Sequence, residues 1–232
     1  MKRFYKVVTV TAAPHHIHLD GRPVKTPMRA ALALPTASLA DAIAAEWQAQ
    51  GDTIHPHSMP LTKLANTAID RVAAMRDTVS DQIVAYSNDL LCYRAAEPAE
   101  LAAREAAAWD PLLDWAAERY GARLQVRTGI THFAQDLGAV AALRRAVEAT
   151  DPFLLTGLHT AATILGSLVL TLALAEGRLD ADTAFALSQL DDRYQAERWG
   201  EDAEAAVRAA NLLAELQAVE RFIALSSRTR PA

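Results

Sequence analysis

The N-terminal part of the fold is decided by the stretch His16-Ile17-His18-Leu19-Asp20-Gly21-Arg22-Pro23-Val24-Lys25. Its Asp20-Gly21 pair lies between two strand-like runs, which is the strongest short-range signal for a β-hairpin. Residues 5–11 before it are rich in β-branched side chains, and residues 31–34 after it form another apolar run. Together these runs predict a small antiparallel β-rich subdomain over residues 1–36.

Residues 37–232 are predicted to form a mainly helical domain. Hydrophobic residues make up 51% of the chain and aromatic residues only 6%, and the many alanines among them favour helix. Residues 124–127 are predicted to form a short strand, and residues 90–94 either a short strand or a helix end. The expected fold class is therefore α+β, with a small N-terminal antiparallel β-rich subdomain followed by a larger helical subdomain.

Several helix boundaries follow from local signals. The helix that begins at Pro98 contains Pro111, which either kinks it or restarts it with Asp110 as the cap. Residues 182–199 and 202–226 are predicted as the two last helices, separated near Gly200.

The most apolar segment runs from Pro152 to Ala175 and contains no Asp, Glu, Lys or Arg. Its length is compatible with a membrane span. However, it includes a histidine, several threonines and two glycines, and neither a cationic flank nor an aromatic belt brackets it. We therefore expect one buried central helix and no membrane insertion.

Charge and motif content exclude several classes of partner. The net charge is −5 and no long basic run occurs, which argues against nucleic-acid binding. No glycine-rich phosphate loop is present, so we expect neither bound nucleotide nor another cofactor. The single cysteine, Cys92, lies in an apolar run and fits a reducing compartment. Because the N-terminus resembles neither a signal nor a transit segment, we expect a bacterial cytoplasmic protein.

The histidines offer only a weak case for a metal site. His16 and His18 share one face of a strand, and His55 and His57 lie close together in a loop. No Cys partner and no His-Glu-x-x-His helix accompanies them, so no metal is predicted. The alternative reading is a small hydrolase or metal-dependent enzyme that uses these histidines or the acidic residues near the C-terminus.

Two strings each place a tryptophan beside acidic residues at a predicted helix end. One covers residues 46–54 and contains Trp47, and the other covers residues 194–204 and contains Trp199. Tryptophan is common among the residues that carry binding energy at interfaces. Trp47 also shares a helix face with Leu39 and Ile43, which favours a core position. Whether Trp47 lies in the core or at an interface stays open.

The acidic residues of the second string also have two readings. Glu197 and Glu201 are four residues apart on one helix face, where a pair of carboxylates can receive basic side chains of a partner. A solvated helix end is the other reading, with Glu201 and Asp202 placed favourably at the N-terminus of the following helix.

An ordered set of short strings resembles one known family. These strings are residues 19–27, 46–70, 87–94, 109–115 and 194–202. The chain resembles the assembly chaperones of the catalytic sector of F-type ATP synthase, the factors that attend its alpha subunit. The resemblance implies a non-enzymatic chaperone that binds the unassembled alpha subunit until it pairs with the beta subunit. Relatives in eukaryotes would lie in the mitochondrial matrix.

The resemblance also implies which residues bind the partner. An acidic position in the C-terminal string is implied to be important, and Glu197 is favoured. The tryptophan of the first string is implied to be sensitive as well. The expected partner-binding residues are Glu197, Trp199, Glu201, Asp202, Glu204 and Trp47.

Overall fold

The structure is a computed structural model that describes residues 1–200 and 202–227. The chain divides into two compact units. The first contains residues 1–76 and 151–157 and the described residues from 218 onward, and the second contains residues 77–150 and 158–217. The boundary predicted at residue 36 divides a β-rich from a helical part of the chain. The two units are defined by packing instead, so they do not test that boundary and it stays a prediction.

The secondary structure is mixed, with short strands first and helices after them. The strands are β1 (Val8–Val10), β2 (His15–Leu19), β3 (Arg22–Pro23), β4 (Ala33–Leu34), β5 (Tyr93–Arg94) and β6 (Arg127–Thr128). The α-helices are α1 (Ala37–Gln48), α2 (Pro60–Asp70), α3 (Arg76–Val84), α4 (Ala99–Tyr120), α5 (Leu137–Glu148), α6 (Pro152–Leu165), α7 (Leu168–Ala175), α8 (Ala181–Ser188), α9 (Leu190–Trp199) and α10 (Ala203–Ser226).

The N-terminal sheet is antiparallel and has β2 in its middle. β1 pairs with β2 through the register Thr9 opposite His18, and β3 and β4 pair with β2 on its other side. Asp20 and Gly21 both have positive φ, 48° and 78°. Two consecutive left-handed residues are what a tight two-residue hairpin turn requires. The turn therefore lies where Asp20-Gly21 predicted it.

Helix α1 covers this sheet and begins with a side-chain cap. The Thr36 hydroxyl accepts a hydrogen bond from the backbone N–H of Leu39 over 3.1 Å. Leu39 and Ile43 are fully buried on the inner face of α1. Burying such a face against a sheet provides most of the stability of a helix of this length.

Short parallel pairing occurs in the second unit. β5 pairs in parallel with β6 through Tyr93 opposite Arg127. Of the stretch predicted as a short strand or a helix end, residues 90–92 form a 3₁₀ turn and residues 93–94 form β5. The strand predicted over residues 124–127 begins only at Arg127. Pro111 lies inside the continuous helix α4, so this helix does not restart there.

The apolar segment is not one helix, which corrects the prediction. Gly166 has φ of +64°, and Ser167 then caps α7 by accepting a hydrogen bond from Leu170 N–H over 3.0 Å. Asp89, which is fully buried, accepts a second bond from Val169 N–H over 2.9 Å. In the described residues, no helix is long and apolar enough to cross a membrane.

The predicted helix over residues 182–199 is also divided. α8 ends at Ser188 and α9 begins at Leu190, because Gln189 takes a non-helical ψ of 18°. The break near Gly200 is where the sequence predicted it, with φ of +95° at that glycine. Beyond it, residues 203–215 of α10 hold no buried side chain.

Candidate partner-binding surface

Trp199 ends helix α9 with its side chain in solvent. It is 77% exposed, which is unusual for the largest apolar side chain. The N–H of Gly200 donates to the carbonyl oxygen of Ala196 over 3.0 Å and closes the last turn. The positive φ of Gly200 then turns the chain away from the helix. The helix end therefore presents Trp199 at the surface.

Glu197 lies two residues before Trp199 on α9 and forms an ion pair within the second unit. Its Oε2 atom is 2.8 Å from Nη1 of Arg104 on α4. Both side chains are about half exposed, so the pair contributes little to stability. The hydrogen bond to Glu197 raises the pKa of Arg104 above its ordinary value. Glu197 is thus held in place by a neighbouring helix and is still reachable from solvent.

The ion pair is part of a larger charged cluster between α4 and α9. Glu100 bonds Arg104 over 2.8 Å and Arg198 over 2.5 Å. The guanidinium groups of Arg104 and Arg198 lie 5.1 Å and 4.5 Å from the ring centre of Tyr194, within cation–π range. Tyr194 is buried. The charged cluster therefore joins α4 to α9 through carboxylates and guanidinium groups that alternate, with the buried ring of Tyr194 beneath the guanidinium groups.

The acidic residues after Gly200 lie at the start of α10. The Asp202 carboxylate accepts a hydrogen bond from Glu204 N–H over 3.0 Å. The backbone carbonyl oxygen of Asp202 accepts a second one from Ala206 N–H over 2.9 Å. Asp202 and Glu204 are exposed, and their charges complement the helix N-terminus. Glu201 lies outside the described residues. Trp199, Asp202 and Glu204 therefore lie within six residues of one another in the chain, on either side of Gly200, and all three are exposed.

A cleft of about 500 Å³ lies beside Glu197. Its lining combines apolar side chains with charges of both signs. It is lined by Arg104, Asp182, Thr183, Ala186, Leu187, Leu190, Arg193 and Glu197. A lining of apolar side chains with a few polar groups is typical of sites that receive a side chain of a ligand or a partner.

A buried carboxyl next to Asp191, that of Glu105, was missed by the sequence reasoning. Glu105 on α4 is 1% exposed and accepts a hydrogen bond from Ala95 N–H over 2.8 Å. Burial, together with the neighbouring Asp191, raises the pKa of Glu105. The signal was available, because Glu105 lies four residues from both Leu101 and Trp109 on the buried face of α4.

Trp47 occupies a different environment, in the first unit. It is half-buried and packs against a cluster formed by Tyr5, Leu19, Ile54 and Met59. Its ring lies edge-on to Tyr5 at 5.7 Å, and its Nε1 atom is buried without a hydrogen-bond partner among the described residues. This geometry favours the core reading of Trp47, and its role in partner binding stays a prediction.

The neighbours of Trp47 lock a loop to helix α2. The Glu46 carboxylate accepts hydrogen bonds from the N–H groups of Leu61 and Thr62 over 2.7 and 2.8 Å. These groups are unpaired at a helix N-terminus unless a side chain reaches them. Gln50 is buried, donates to Ser58 Oγ and accepts from His55 N–H. The first string therefore joins α1 to α2.

The histidines do not assemble into a metal site. Within residues 1–200 and 202–227, no group of three or more His, Cys, Asp or Glu side chains could hold a metal ion. His16 and His18 lie on β2 in the first unit, whereas Glu197 belongs to the second. No described geometry favours the hydrolase or metal-enzyme alternative.

Comparisons with known proteins give a consistent result. Residues 2–117 match the model of the family described as ATP12 chaperone protein. The structure matches the crystal structure of Atp12 from Paracoccus denitrificans with a TM-score of 0.94. That match is 45% identical and covers 97% of this chain and 98% of that chain.

Two further relatives point the same way. A chaperone candidate from Agrobacterium tumefaciens matches with a TM-score of 0.92 and 42% identity, over 96% of this chain and 85% of that one. The mitochondrial protein atp12 of Schizosaccharomyces pombe is 26% identical over 197 residues, 79% of this chain and 68% of that protein. The solved relatives confirm the predicted α+β fold class.

Proposed function

Because the chain belongs to the ATP12 chaperone protein family, we propose that it binds the unassembled alpha subunit of an F-type ATP synthase until the beta subunit pairs with it. Membership makes the chain a chaperone rather than an enzyme. The observation that carries the proposal is the match of nearly the whole chain to Atp12 of Paracoccus denitrificans, together with the ordered strings that resemble alpha-subunit chaperones.

The proposed contact surface is the end of α9 with the start of α10. Trp199 supplies an exposed aromatic anchor, and Asp202 and Glu204 supply negative charge just after it in the chain. Glu197 supplies a further carboxylate on another side of α9. Glu201 is included from the sequence alone. Such a surface suits a client patch that combines an apolar socket with Arg or Lys side chains. The cleft beside Glu197 would receive a client side chain.

In this proposal the chaperone acts by covering the apolar interface of the unassembled subunit. An isolated subunit of a hexamer exposes an apolar interface that invites aggregation. A chaperone that covers this interface lowers the free concentration of the exposed form and needs no nucleotide to do so. The affinity must be moderate, since the beta subunit has to displace the chaperone by mass action.

Client choice tests the proposal. Purified chain is mixed separately with free alpha subunit, free beta subunit and the assembled hexamer, and each mixture is run on size exclusion. We expect co-elution with the free alpha subunit alone. Equal co-elution with the hexamer would contradict the idea that the chaperone covers a surface later used by the beta subunit.

For the compartment we propose the bacterial cytoplasm. The solved relatives come from the bacteria Paracoccus denitrificans and Agrobacterium tumefaciens, and the single buried cysteine suits a reducing compartment. Fractionation of the source cells with antibody against the chain tests this, and recovery with the membrane or periplasmic fraction would contradict it.

A further inference from the structure

Strand β1 forms a free edge of the N-terminal sheet. The register places Thr9 opposite His18, and the flanking bonds run from Asp20 N–H to Val7 O and from Thr11 N–H to His16 O. In an antiparallel ladder the bonding residues alternate, so the N–H and C=O groups of Val8 and Val10 point away from β2. In the part of the chain that the structure describes, these outward groups have no backbone partner.

Apolar side chains flank this edge on the solvent side. Phe4 is 64% exposed and Val7 is 56% exposed, in the segment that leads into β1. Phe4 is held edge-on against the buried ring of Tyr5 at 5.3 Å. Val8, by contrast, packs inward against the cluster that contains Tyr5 and Leu19. The segment therefore has an anchored inner side and an exposed apolar outer side.

The N-terminal region that contains β1 is positively charged, although the chain as a whole is negatively charged. Residues 1–36 contain six cationic side chains and only one anionic one, a net charge of +5, whereas the whole chain carries −5. Lys2 and Lys6 beside β1 are exposed. The one carboxylate, Asp20, accepts hydrogen bonds from the N–H groups of Lys6 and Val7, which lower its pKa. The edge is thus positively charged and attracts acidic partners.

We propose that the free edge of β1 receives an extended segment of the client, which carries acidic and apolar side chains and adds to the sheet as a further strand. This is β-augmentation, in which main-chain hydrogen bonds to Val8 and Val10 provide affinity. Acidic side chains of the segment pair with Lys2 and Lys6, and apolar ones cover Phe4 and Val7. The identity of the client as the alpha subunit rests on the proposed function.

A short edge strand beside lysines also protects a sheet against unwanted pairing. Protection and binding give opposite results when the client is present. If the edge only protects, the amides of Val8 and Val10 exchange with solvent at the same rate with and without client. If the edge binds, both amides become protected, because they then donate to the added strand.

The first test is hydrogen–deuterium exchange of the full chain with and without purified alpha subunit, resolved to residues 4–11. The second compares Val10→Pro, which removes the outward N–H, with the matched control Val10→Thr, which keeps it. Proline is tolerated on an edge strand where its N–H faces solvent. We expect Val10→Pro to bind alpha subunit about three- to tenfold more weakly than Val10→Thr, the effect of one lost hydrogen bond.

A charge test covers the case in which Val10→Pro does not fold. The double variant Lys2→Glu with Lys6→Glu is compared with Arg123→Glu, which reverses one exposed charge in the second unit. We expect weaker binding only for the double variant, with the difference shrinking as salt rises. Unchanged exchange at Val8 and Val10 together with wild-type affinity of the variants would overturn the edge proposal alone. Failure of the wild-type chain to bind alpha subunit would overturn the proposed function and this proposal with it.

Discussion

Arg104 on α4 donates from Nη1 to Oε2 of Glu197 on α9 over 2.8 Å. The acidic side chain that the sequence favours for client contact therefore already has a cationic partner inside the second unit. Because both side chains are about half exposed, a client cation can approach Glu197 without first opening the fold. The pair orients the carboxylate and leaves its outer side in solvent.

Replacement of Glu197 is expected to weaken client binding with little effect on stability. Glu197→Gln keeps the shape and removes the charge, so melting should change little, since exposed ion pairs contribute about 0–1 kcal/mol. Loss of a desolvated charge pair at an interface costs about 2–5 kcal/mol of affinity. Glu197→Lys should bind more weakly still, because its cation also repels the basic side chains of the client.

The control for Glu197 is Asp81→Asn. Asp81 forms a comparable exposed ion pair with Arg144 at 2.6 Å, also in the second unit. When both variants are titrated into alpha subunit by calorimetry, Asp81→Asn should keep wild-type affinity. A Glu197→Gln variant that binds like Asp81→Asn would remove Glu197 from the interface.

Trp199→Ala is expected to separate binding from folding. The side chain is 77% exposed, so its removal should change stability by no more than about 0.5 kcal/mol. A tryptophan at the centre of an interface carries about 2 kcal/mol or more of affinity, roughly a 30-fold change in Kd. Ile130→Ala, at a side chain that is 96% exposed in the same unit, is the matched control. Equal affinity of the two variants would argue against this surface.

Trp47 is expected to act through folding of the first unit. Trp47→Arg places a charge against the cluster of Tyr5 and Met59 and should cost about 3–5 kcal/mol in the free energy of unfolding. Trp47→Phe keeps a ring and removes the unpartnered Nε1–H, so it should cost less than about 1.5 kcal/mol. Urea unfolding measures both. Wild-type stability of Trp47→Arg with lost client binding would place Trp47 at the interface instead.

Glu105 is expected to make the second unit less stable at alkaline pH. Burial raises its pKa to about 7 from an ordinary value of 4.5, so the folded chain binds this proton more tightly than the unfolded chain. The resulting stabilisation is complete below pH 4.5 and is lost as the pH rises through about 7. Glu105→Gln resembles the protonated acid and cannot ionise.

The melting temperature of Glu105→Gln should therefore exceed that of the wild type at pH 8 by at least about 2–4 °C, because a pKa raised by one unit is already worth about 1.4 kcal/mol. The difference should shrink at pH 5, where wild-type Glu105 is protonated. Glu118→Gln, on an exposed position of the same helix, should show no such pH-dependent difference. A constant offset between pH 5 and pH 8 for Glu105→Gln would contradict the assignment.

The features that the sequence predicted best depend on local chemistry. The Asp20-Gly21 turn could be predicted because few residues accept two positive φ angles in succession. Residues 152–175 were predicted as one helix because an apolar run indicates that a segment is buried, but does not show whether its helix is continuous. At the break after Gly166, Asp89, which lies far away in sequence, accepts a hydrogen bond from Val169 N–H at the start of α7. A tertiary partner of that kind is not visible in a local pattern.

In the candidate surface, too, some features follow from the local sequence and others only from tertiary packing. Exposure of Trp199 beside Gly200 follows from a helix end, which local signals can indicate. The pairing of Glu197 with Arg104 joins residues 93 positions apart and required the packing of α9 on α4. Glu46 was recognised only as part of a string, and its contact with the N-terminus of α2 needed the loop geometry around Gln50.

The environment of Cys92 has a practical consequence for fluorescence experiments. The chain has one cysteine, it is fully buried, and burial raises its pKa to about 12. Since dyes that label thiols react with the exposed thiolate, the natural chain should stay unlabelled at neutral pH. Any single cysteine introduced at the surface would then carry the only dye, and approach of a client to either end of the molecule could be followed by energy transfer without first removing Cys92.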